Sequence, residues 1–258
     1  MKRSVMGILP SALTRTLVIA AIFVAWEIGA HFGNPLFVAP PSAVVPKIFE
    51  IAGQAQVSRA LATTAWELAS AFGIALLIGV PVALLTSSTP LTRKSVYPII
   101  LLIYAVPQVT ILPLFVLALG PGSASKVAFG VSHGIFPIVI SLISGLQNVD
   151  PLLLRSARSM GASRGQVLRR IVLPSVTPSL FAGMRLGMAA TLLGVLLAEL
   201  YVTTRGIGYL TRIYTDNFRP AELFALIVIL AFFAILLNEL FRLYERRLTR
   251  WRTGTGAS

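Results

Sequence analysis

The chain has 258 residues, with 22 lysines and arginines against 9 aspartates and glutamates, so its formal net charge is +13. Hydrophobic residues make up 56% and charged residues only 12%, about half the charged share of a soluble domain, and the mean hydropathy is +0.83. This composition excludes a disordered chain, a fibrous protein and an ordinary cytosolic enzyme, and the absence of cysteine excludes disulfides and zinc knuckles.

The basic residues lie between long apolar runs, a pattern typical of a membrane protein in a lipid bilayer and not of a nucleic-acid-binding surface. A membrane-spanning helix needs about 20 mostly apolar residues, and six segments approach this length. They are Leu17–Phe32, Leu68–Leu85, Tyr97–Leu119, Val127–Leu146, Leu180–Leu200 and Leu223–Leu243. The sequence therefore predicts an all-α polytopic membrane protein with six transmembrane helices.

The first apolar segment is the one that could be mistaken for a signal peptide, because Lys2 and Arg3 precede it. Trp26 and Glu27 stand where a cleavage site of small residues would lie, so we expect a retained helix. Across all loops, 15 lysines and arginines fall in segments that are cytoplasmic if the N-terminus is inside, and 6 fall in the opposite segments. This bias predicts that both termini are cytoplasmic. With no internal repeat or low-complexity linker, residues 1–258 are expected to form one transmembrane domain.

Two connections on the predicted outer side are long enough to have structure of their own. In the segment 35–59, Ser42 is expected to cap a short helix that includes Phe49. In the segment 203–221, Gly206 favours a sharp turn.

The cytoplasmic loop of residues 148–178 has strong local signals. Asp150 followed by a proline is typical of a helix start, and Gly161 supplies a left-handed stop. Ser163, with a glutamine three residues later, makes a capping box for a second short helix. Pro174 is expected to end that helix, because the residue before a proline avoids helical geometry. The loop thus encodes an elbow (residues 150–174) of helix, glycine turn, helix and proline break.

The first helix of the elbow is amphipathic. Its apolar residues are Leu152, Leu153, Ala157 and Met160, and Arg155 and Arg158 share one face. Such a helix fits two interpretations: it lies on anionic lipid headgroups, or it is a rigid knob that a cytoplasmic protein grips. Stops at both joints favour the knob, because force transmission needs rigidity.

The run from Arg155 to Gly161, with Ile171-Val172-Leu173-Pro174 after it, resembles the EAA loop of ABC-importer permeases. The most similar group is the bacterial nitrate, sulfonate, taurine and bicarbonate permeases. The resemblance covers nearly the whole chain, and the further matching segments are Val38–Val44, Pro107–Pro113 with Gly120, Ala124–Lys126, Ala198-Glu199 and Gly206–Leu210. Arg155 and Ser156 stand where the motif has glutamate and its first alanine. Either a partner surface carries a compensating acid, or shape dominates the contact.

The resemblance implies the type I importer permease fold in the bacterial inner membrane. It implies a permease subunit, not an enzyme, that passes a small solute such as a sulfonate, nitrate or bicarbonate. Implied partners are a cytoplasmic ATPase dimer that binds ATP-Mg, a periplasmic or lipid-anchored solute-binding protein, and a second permease copy, expected to make a homodimer. No cofactor or metal is expected in this chain itself. The residues implied in ATPase coupling are Arg155, Ser156, Ala157, Arg158, Met160, Gly161, Leu173 and Pro174.

Polar residues within the spans are candidates for the substrate pathway, because burying them in a membrane is costly. Glu239 is explained by a pair with Arg242, and Glu27 and Glu67 by solvation at the membrane interface. Glu199 either lines the pathway or pairs with another span, and His133 either meets a ligand or bonds a neighbouring backbone. The tentative pathway residues are Gln108, Thr110, His133 and Glu199.

Two other function classes are alternatives to a permease subunit for a chain with several membrane spans. An ion-gradient-driven secondary transporter would have inverted repeats and carboxylates at mid-membrane, but no matching halves are visible and the acids lie towards the span ends. A membrane-embedded enzyme is disfavoured because neither of the two histidines sits in a metal or triad motif.

Overall fold

The computed structural model of the protein describes residues 11–202 and 204–248. It is 87% helical, with no strand among these residues. The helices are α1 (Ser11–Phe32), α2 (Pro41–Ala52), α3 (Ala55–Thr86), α4 (Pro90–Ala105), α5 (Leu112–Leu119), α6 (Ser123–Gln147), α7 (Pro151–Ser159), α8 (Arg164–Val167), α9 (Leu173–Val202), α10 (Ile207–Asp216) and α11 (Pro220–Leu248). A 3₁₀ turn (Gln108–Ile111) precedes α5, and a π turn (Leu168–Val172) joins α8 to α9. The terminal bases Lys2, Arg3, Arg250 and Arg252, which entered the orientation prediction, lie outside the described residues.

Within residues 11–202 and 204–248, five helical segments are long and apolar enough to cross a membrane. They are Leu13–Phe32, Ala55–Thr86, Ser123–Gln147, Arg164–Val202 and Pro220–Leu243. A sixth crossing exists if Pro90–Ala105 and Gln108–Leu119, which are bent by 80° at their junction, form one broken span. The all-α polytopic prediction is confirmed, but the prediction of one helix over Tyr97–Leu119 is wrong.

The break in the third span has a local cause that the sequence contains. Val106 has an extended backbone (φ −66°, ψ 130°), because a residue that precedes a proline is pushed out of helical geometry. Pro107 is itself extended (φ −60°, ψ 100°) and has no N–H for a helical bond. These two residues therefore end α4 and turn the chain towards α5.

The described residues divide into two compact units, 11–58 with 210–231 and 59–202 with 204–209 and 232–248. The expectation of a single domain stays a prediction. In the first unit, the rings of Trp26 and Phe224 lie 5.4 Å apart, and Lys47 Nζ donates to Glu50 at 2.7 Å. That hydrogen bond raises the pKa of the Lys47 ammonium above its usual range.

The short helix predicted around Phe49 is α2, but the prediction that Ser42 caps it is wrong. Pro40 occupies the N-cap position and makes no side-chain capping bond. The cap comes from α1 instead, since the Glu27 carboxylate accepts from Ser42 N–H at 3.0 Å and from its hydroxyl at 2.6 Å. A carboxylate near a helix N-terminus also interacts favourably with the helix dipole.

In the second unit, α6 and α9 lie side by side with almost no space between their backbones. A Cβ added at Gly187 would lie 2.6 Å from Ile138 Cγ1 and 3.0 Å from the backbone oxygen of Gly134. A Cβ added at Gly134 would overlap the Thr191 hydroxyl. Small residues allow this approach, which supplies the van der Waals contact that holds membrane helices together.

Replacing Gly187 by alanine is expected to push α9 away from α6. Because the Gly134 backbone oxygen cannot move aside as a flexible side chain can, we expect a loss of about 1–3 kcal/mol. Thermal unfolding of the purified protein in detergent should show a transition lowered by several degrees.

Gly73 on α3 is the matched control, since an added Cβ there meets nothing within 4 Å. Gly73→Ala should leave the transition unchanged or raise it slightly, because alanine favours the helix. Equal transitions for the two variants would contradict close α6–α9 packing.

Candidate functional site

The second unit has two ends that α6 and α9 connect. α6 runs to a loop of residues 148–163, the loop end, and α9 runs back to a turn of residues 204–208, the turn end. Chain direction alone places these ends at opposite termini of the helix pair. Each end carries a distinct group of polar residues.

The elbow at the loop end begins as the sequence predicts. The Asp150 carboxylate accepts from Leu152 N–H at 2.7 Å and so caps the start of α7. Gly161 has φ +77°, and Ala162 N–H donates to Ala157 O at 3.0 Å, the bond of a glycine-stopped helix. Ser163 then forms the predicted capping box for α8.

The predicted break at Pro174 is wrong. Leu173 has helical angles (φ −56°, ψ −48°), and its N–H donates to Leu168 O five residues back. The wider π turn over Leu168–Val172 shifts the backbone hydrogen bonds by one residue just before the proline, and the helix continues through it. The second arm of the elbow is therefore continuous with the span, and Arg164–Val202 is one apolar helical segment.

The outward surface of the elbow combines large apolar and basic side chains. Leu152 is 67% exposed and Met160 81% exposed, and Arg155 and Arg158 are exposed beside them. Ala157 points inward and is buried. In the predicted apolar stripe, Ala157 is thus buried, whereas the larger side chains of Leu152, Leu153 and Met160 are exposed.

Two depressions flank the glycine turn. The larger, of about 830 Å³, is lined by Ser88, Arg158, Ala162, Arg164, Val167, Leu168 and Val172. The smaller, of about 390 Å³, is lined by Ala157, Met160, Gly161, Ala162, Gln166, Val167, Arg170 and Ile171. Arginines line both depressions, so the concave surface here is basic as well as apolar.

Neutral polar groups meet halfway along the spans, beside the break in the third span. The Ser132 hydroxyl lies 3.3 Å from Gln108 Oε1 and 3.4 Å from His133 Nδ1. His133 Nδ1 is also 3.1 Å from Phe129 O, as the backbone alternative predicts. Thr110 instead donates to Pro107 O at 2.7 Å. The structure thus brings Gln108 and His133 together through Ser132, a residue that sequence reasoning missed.

Glu199, the fourth tentative pathway residue, lies at the turn end and is fully buried. Its carboxylate accepts from the Thr64 hydroxyl at 2.8 Å and from Gly208 N–H at 2.9 Å. Thr64 in turn accepts from Ile207 N–H at 3.0 Å. Glu199 therefore joins its own span to the second span and to the start of α10, as the pairing alternative expects.

Glu67 is also fully buried, so the expectation that it is solvated at an interface is wrong. Glu67 Oε1 lies 2.5 Å from Lys126 Nζ and accepts from the Ser123 hydroxyl at 2.7 Å. Lys126 is only 2% exposed and also contacts Arg205 O at 3.4 Å. The sequence feature that could have indicated this pair is Lys126, which stands three residues after Ser123 at the start of an apolar span.

The other span carboxylate behaves as predicted, because Glu239 pairs with Arg242 at 2.5 Å near the end of α11. Among the described residues, no group of three histidine, aspartate or glutamate side chains is placed to hold a metal ion.

Residues 75–252 match the family described as binding-protein-dependent transport system inner membrane component. The taurine transport system permease protein TauC of Escherichia coli is 33% identical over 84% of this chain and 81% of its own. The formylaminopyrimidine transport permease protein ThiX of Halalkalibacterium halodurans is 28% identical over 93% of this chain and 96% of its own. The riboflavin transport system permease protein RibX of Chloroflexus aurantiacus is 27% identical over 93% of this chain and 90% of its own.

The Glu199 network predicts a measurable coupling between two helices. Thr64→Val removes the hydroxyl donor to Glu199 and the acceptor for Ile207 N–H, and Glu199→Gln places an amide donor among donors. Each change should lower the free energy of unfolding by about 1–3 kcal/mol. Denaturant titration of the double variant should give a loss smaller than the sum of the two single losses by at least about 0.5 kcal/mol.

Thr63→Val is the matched control, because the Thr63 hydroxyl donates only to Arg59 O within its own helix. It should change stability little and should be additive with Glu199→Gln. Strict additivity of Thr64→Val with Glu199→Gln would contradict the hydrogen bond between them.

Proposed function

The chain belongs to the family of binding-protein-dependent transport system inner membrane components, and from this premise we propose how its two ends serve transport. It is the multi-pass permease subunit of an ABC importer in the inner membrane and moves a small solute. It is a translocation subunit, and its 258 residues contain no G-x-x-x-x-G-K-[S/T] phosphate-binding motif. ATP and magnesium are therefore assigned to separate ATPase subunits.

The elbow is the docking site for those ATPase subunits. Its exposed leucines and methionine offer an apolar contact, and Arg155 and Arg158 surround it with positive charge. The capped start at Asp150 and the glycine stop at Gly161 hold this surface in one shape. The single observation that carries the proposal is the uninterrupted helix Arg164–Val202, which connects the docked surface to the opposite end of a span.

Coupling follows from this continuity. When two ATPase subunits close on ATP, they displace α7 and α8, and a rigid helix must pass that displacement to α9. A hinge at Pro174 would absorb the motion locally, whereas the π turn over Leu168–Val172 keeps the helix continuous. Leu173 and Pro174 thus act as the transmission point between elbow and span.

The orientation proposed is loop end inside and turn end outside, with both termini cytoplasmic. Residues 148–178 carry five exposed arginines, at positions 155, 158, 164, 169 and 170, against the single acid Asp150. The positive-inside rule favours the cytoplasmic side for such a segment. A solute-binding protein outside delivers the cargo, and two copies of the permease form the translocation core.

The cargo proposed is a small sulfonate or related organic anion that passes between neutral donors. Gln108, Ser132 and His133 offer hydrogen bonds without a fixed positive charge that would trap an anion. The chain most resembles TauC in the share of identical residues among the three relatives named above, and TauC is a taurine permease by its name. Thr110 lies two residues after Gln108 in the same 3₁₀ turn, and Glu199, at the turn end, borders the outer entrance as a positioning residue.

Capture of the ATPase tests the docking proposal. The tagged permease, co-expressed with a cognate ATPase, is expected to retain that ATPase in detergent. Uptake should stop when ATP is depleted. Gly161→Val should lower uptake at least about tenfold while the protein still inserts, because valine avoids the positive φ that the turn requires.

Gly165→Val is the control, since Gly165 lies in the same elbow, has ordinary helical geometry and open space around it. It should retain capture and uptake. Uptake that persists without ATP and without the ATPase would favour an ion-gradient transporter, and normal uptake by Gly161→Val would remove the role of the elbow.

The pathway proposal predicts a separate defect. Gln108→Leu removes the amide that faces Ser132, and uptake of a sulfonate such as taurine should fall about tenfold, equivalent to 1.4 kcal/mol. ATPase capture should be unchanged. Val109→Leu, a similar change in size on the neighbouring exposed residue, should transport normally.

Competition identifies the cargo class in the same assay. Excess unlabelled taurine should block uptake, whereas riboflavin should not. Unaltered uptake by Gln108→Leu would move the pathway away from Gln108.

A further inference from the structure

Three ionisable side chains are buried together at the turn end. Glu67 and Glu199 are 0% exposed and Lys126 is 2% exposed. Lys126 and Glu67 are both close enough to act electrostatically on Glu199. Moving three ionisable groups out of water is costly even where they pair. Stability of the closed protein alone therefore does not explain the cluster.

The cluster holds the backbone of the turn directly. Lys126 Nζ contacts Arg205 O at 3.4 Å, and Gly208 N–H donates to the Glu199 carboxylate. Gly206 between them has φ +106°, and a Cβ on it would overlap that carboxylate. The turn thus lies against charged atoms from α6 and α9, and the neutral Thr64 hydroxyl of α3 accepts from Ile207 N–H.

The hydrogen bonding of the cluster is incomplete. Glu67 Oε2 is buried and has no hydrogen-bond partner among the residues that the structure describes. A buried acceptor left unpaired is destabilising, and apolar residues of similar size often replace buried ion pairs without loss of stability. A purely structural anchor would gain from full pairing, so the unpaired oxygen points to a second state in which water reaches it.

We propose that Glu67, Lys126 and Glu199 form a latch that closes the turn end at rest and releases the 204–208 turn when that end opens during transport. The proposal rests on the proposed function for the meaning of opening. In the closed state the ammonium holds Glu67 and the turn. In the open state water solvates both carboxylates and the ammonium, which offsets the lost contacts. Two states of similar free energy are what a transport cycle requires.

The chain has no cysteine, so a single introduced cysteine reports opening without background. Ser125 is 0% exposed and precedes Lys126, and Ser125→Cys is a conservative probe. Alkylation by a membrane-impermeant maleimide is measured in sealed vesicles that hold the full permease–ATPase complex. We expect low labelling at rest and an increase of at least about fivefold when ATP and the binding protein are supplied.

Two latch variants separate charge from packing. Lys126→Met leaves two facing carboxylates, so resting labelling of the probe should rise at least about fivefold. Glu67→Gln with Lys126→Met removes the pair and restores the original net charge, so resting labelling should return towards the wild-type level. The double variant also remains informative if Lys126→Met alone fails to insert.

Ala83→Cys is the control probe, fully buried in the inner core cluster of α3, and should stay unlabelled in every state. Labelling of Ser125→Cys that stays low with and without ATP, and does not change with Lys126→Met in an inserted protein, would overturn the latch. The resting comparison needs no ATPase, so it can fail or succeed independently of the capture assay that tests the proposed function.

Discussion

The close approach of α6 and α9 is the constraint on which the second unit depends. Lipid tails are as apolar as leucine, so membrane helices associate through contact and not through hydrophobic exclusion of water. Gly130, Gly134, Gly187 and Gly194 lie at this contact, and a Cβ on any of them would come within 3 Å of a neighbour or overlap it. Because little slack remains, the two helices are expected to move as one body. Whatever acts at the loop end is then felt at the turn end.

The π turn gives that body a continuous connection to the elbow. A helix that met Pro174 with ordinary spacing would lose a hydrogen bond and bend. The i−5 bond from Leu173 to Leu168 instead keeps the backbone helical through the proline. π turns are often found at functional sites, and here one lies where the elbow becomes a span. The proline is compatible with a stiff joint, although in isolation it suggests a break.

The sequence predicted best those features that depend on neighbouring residues. The apolar runs, the Asp150 cap and the Gly161 turn each follow from a few consecutive positions. The prediction that Ser42 caps α2 was wrong because the carboxylate of Glu27, on another helix, accepts from Ser42 N–H. The prediction for Glu67 was wrong for the same reason, since its partner Ser123 is 56 residues away in sequence. Thr64 and Glu199 are likewise 135 residues apart. Pairings of that separation leave no local signature, so the buried charges were visible only as costly residues without partners.

The distribution of charge along α6 and α9 also bears on how a permease can pass an anion without holding it. Most formal charges gather at the two ends, as a buried cluster at the turn end and exposed arginines at the loop end. Arg185 lies within α9, and its guanidinium is 3.5 Å from the Glu245 carboxylate of α11. Between Lys126 and the loop, His133 is the only titratable side chain of α6. A fixed cation at mid-span would bind an anion tightly and slow its release, whereas neutral donors such as Gln108 and Ser132 exchange with water at little net cost. Under the proposed function, selectivity then belongs to the solute-binding protein, and the permease needs only to open one end at a time.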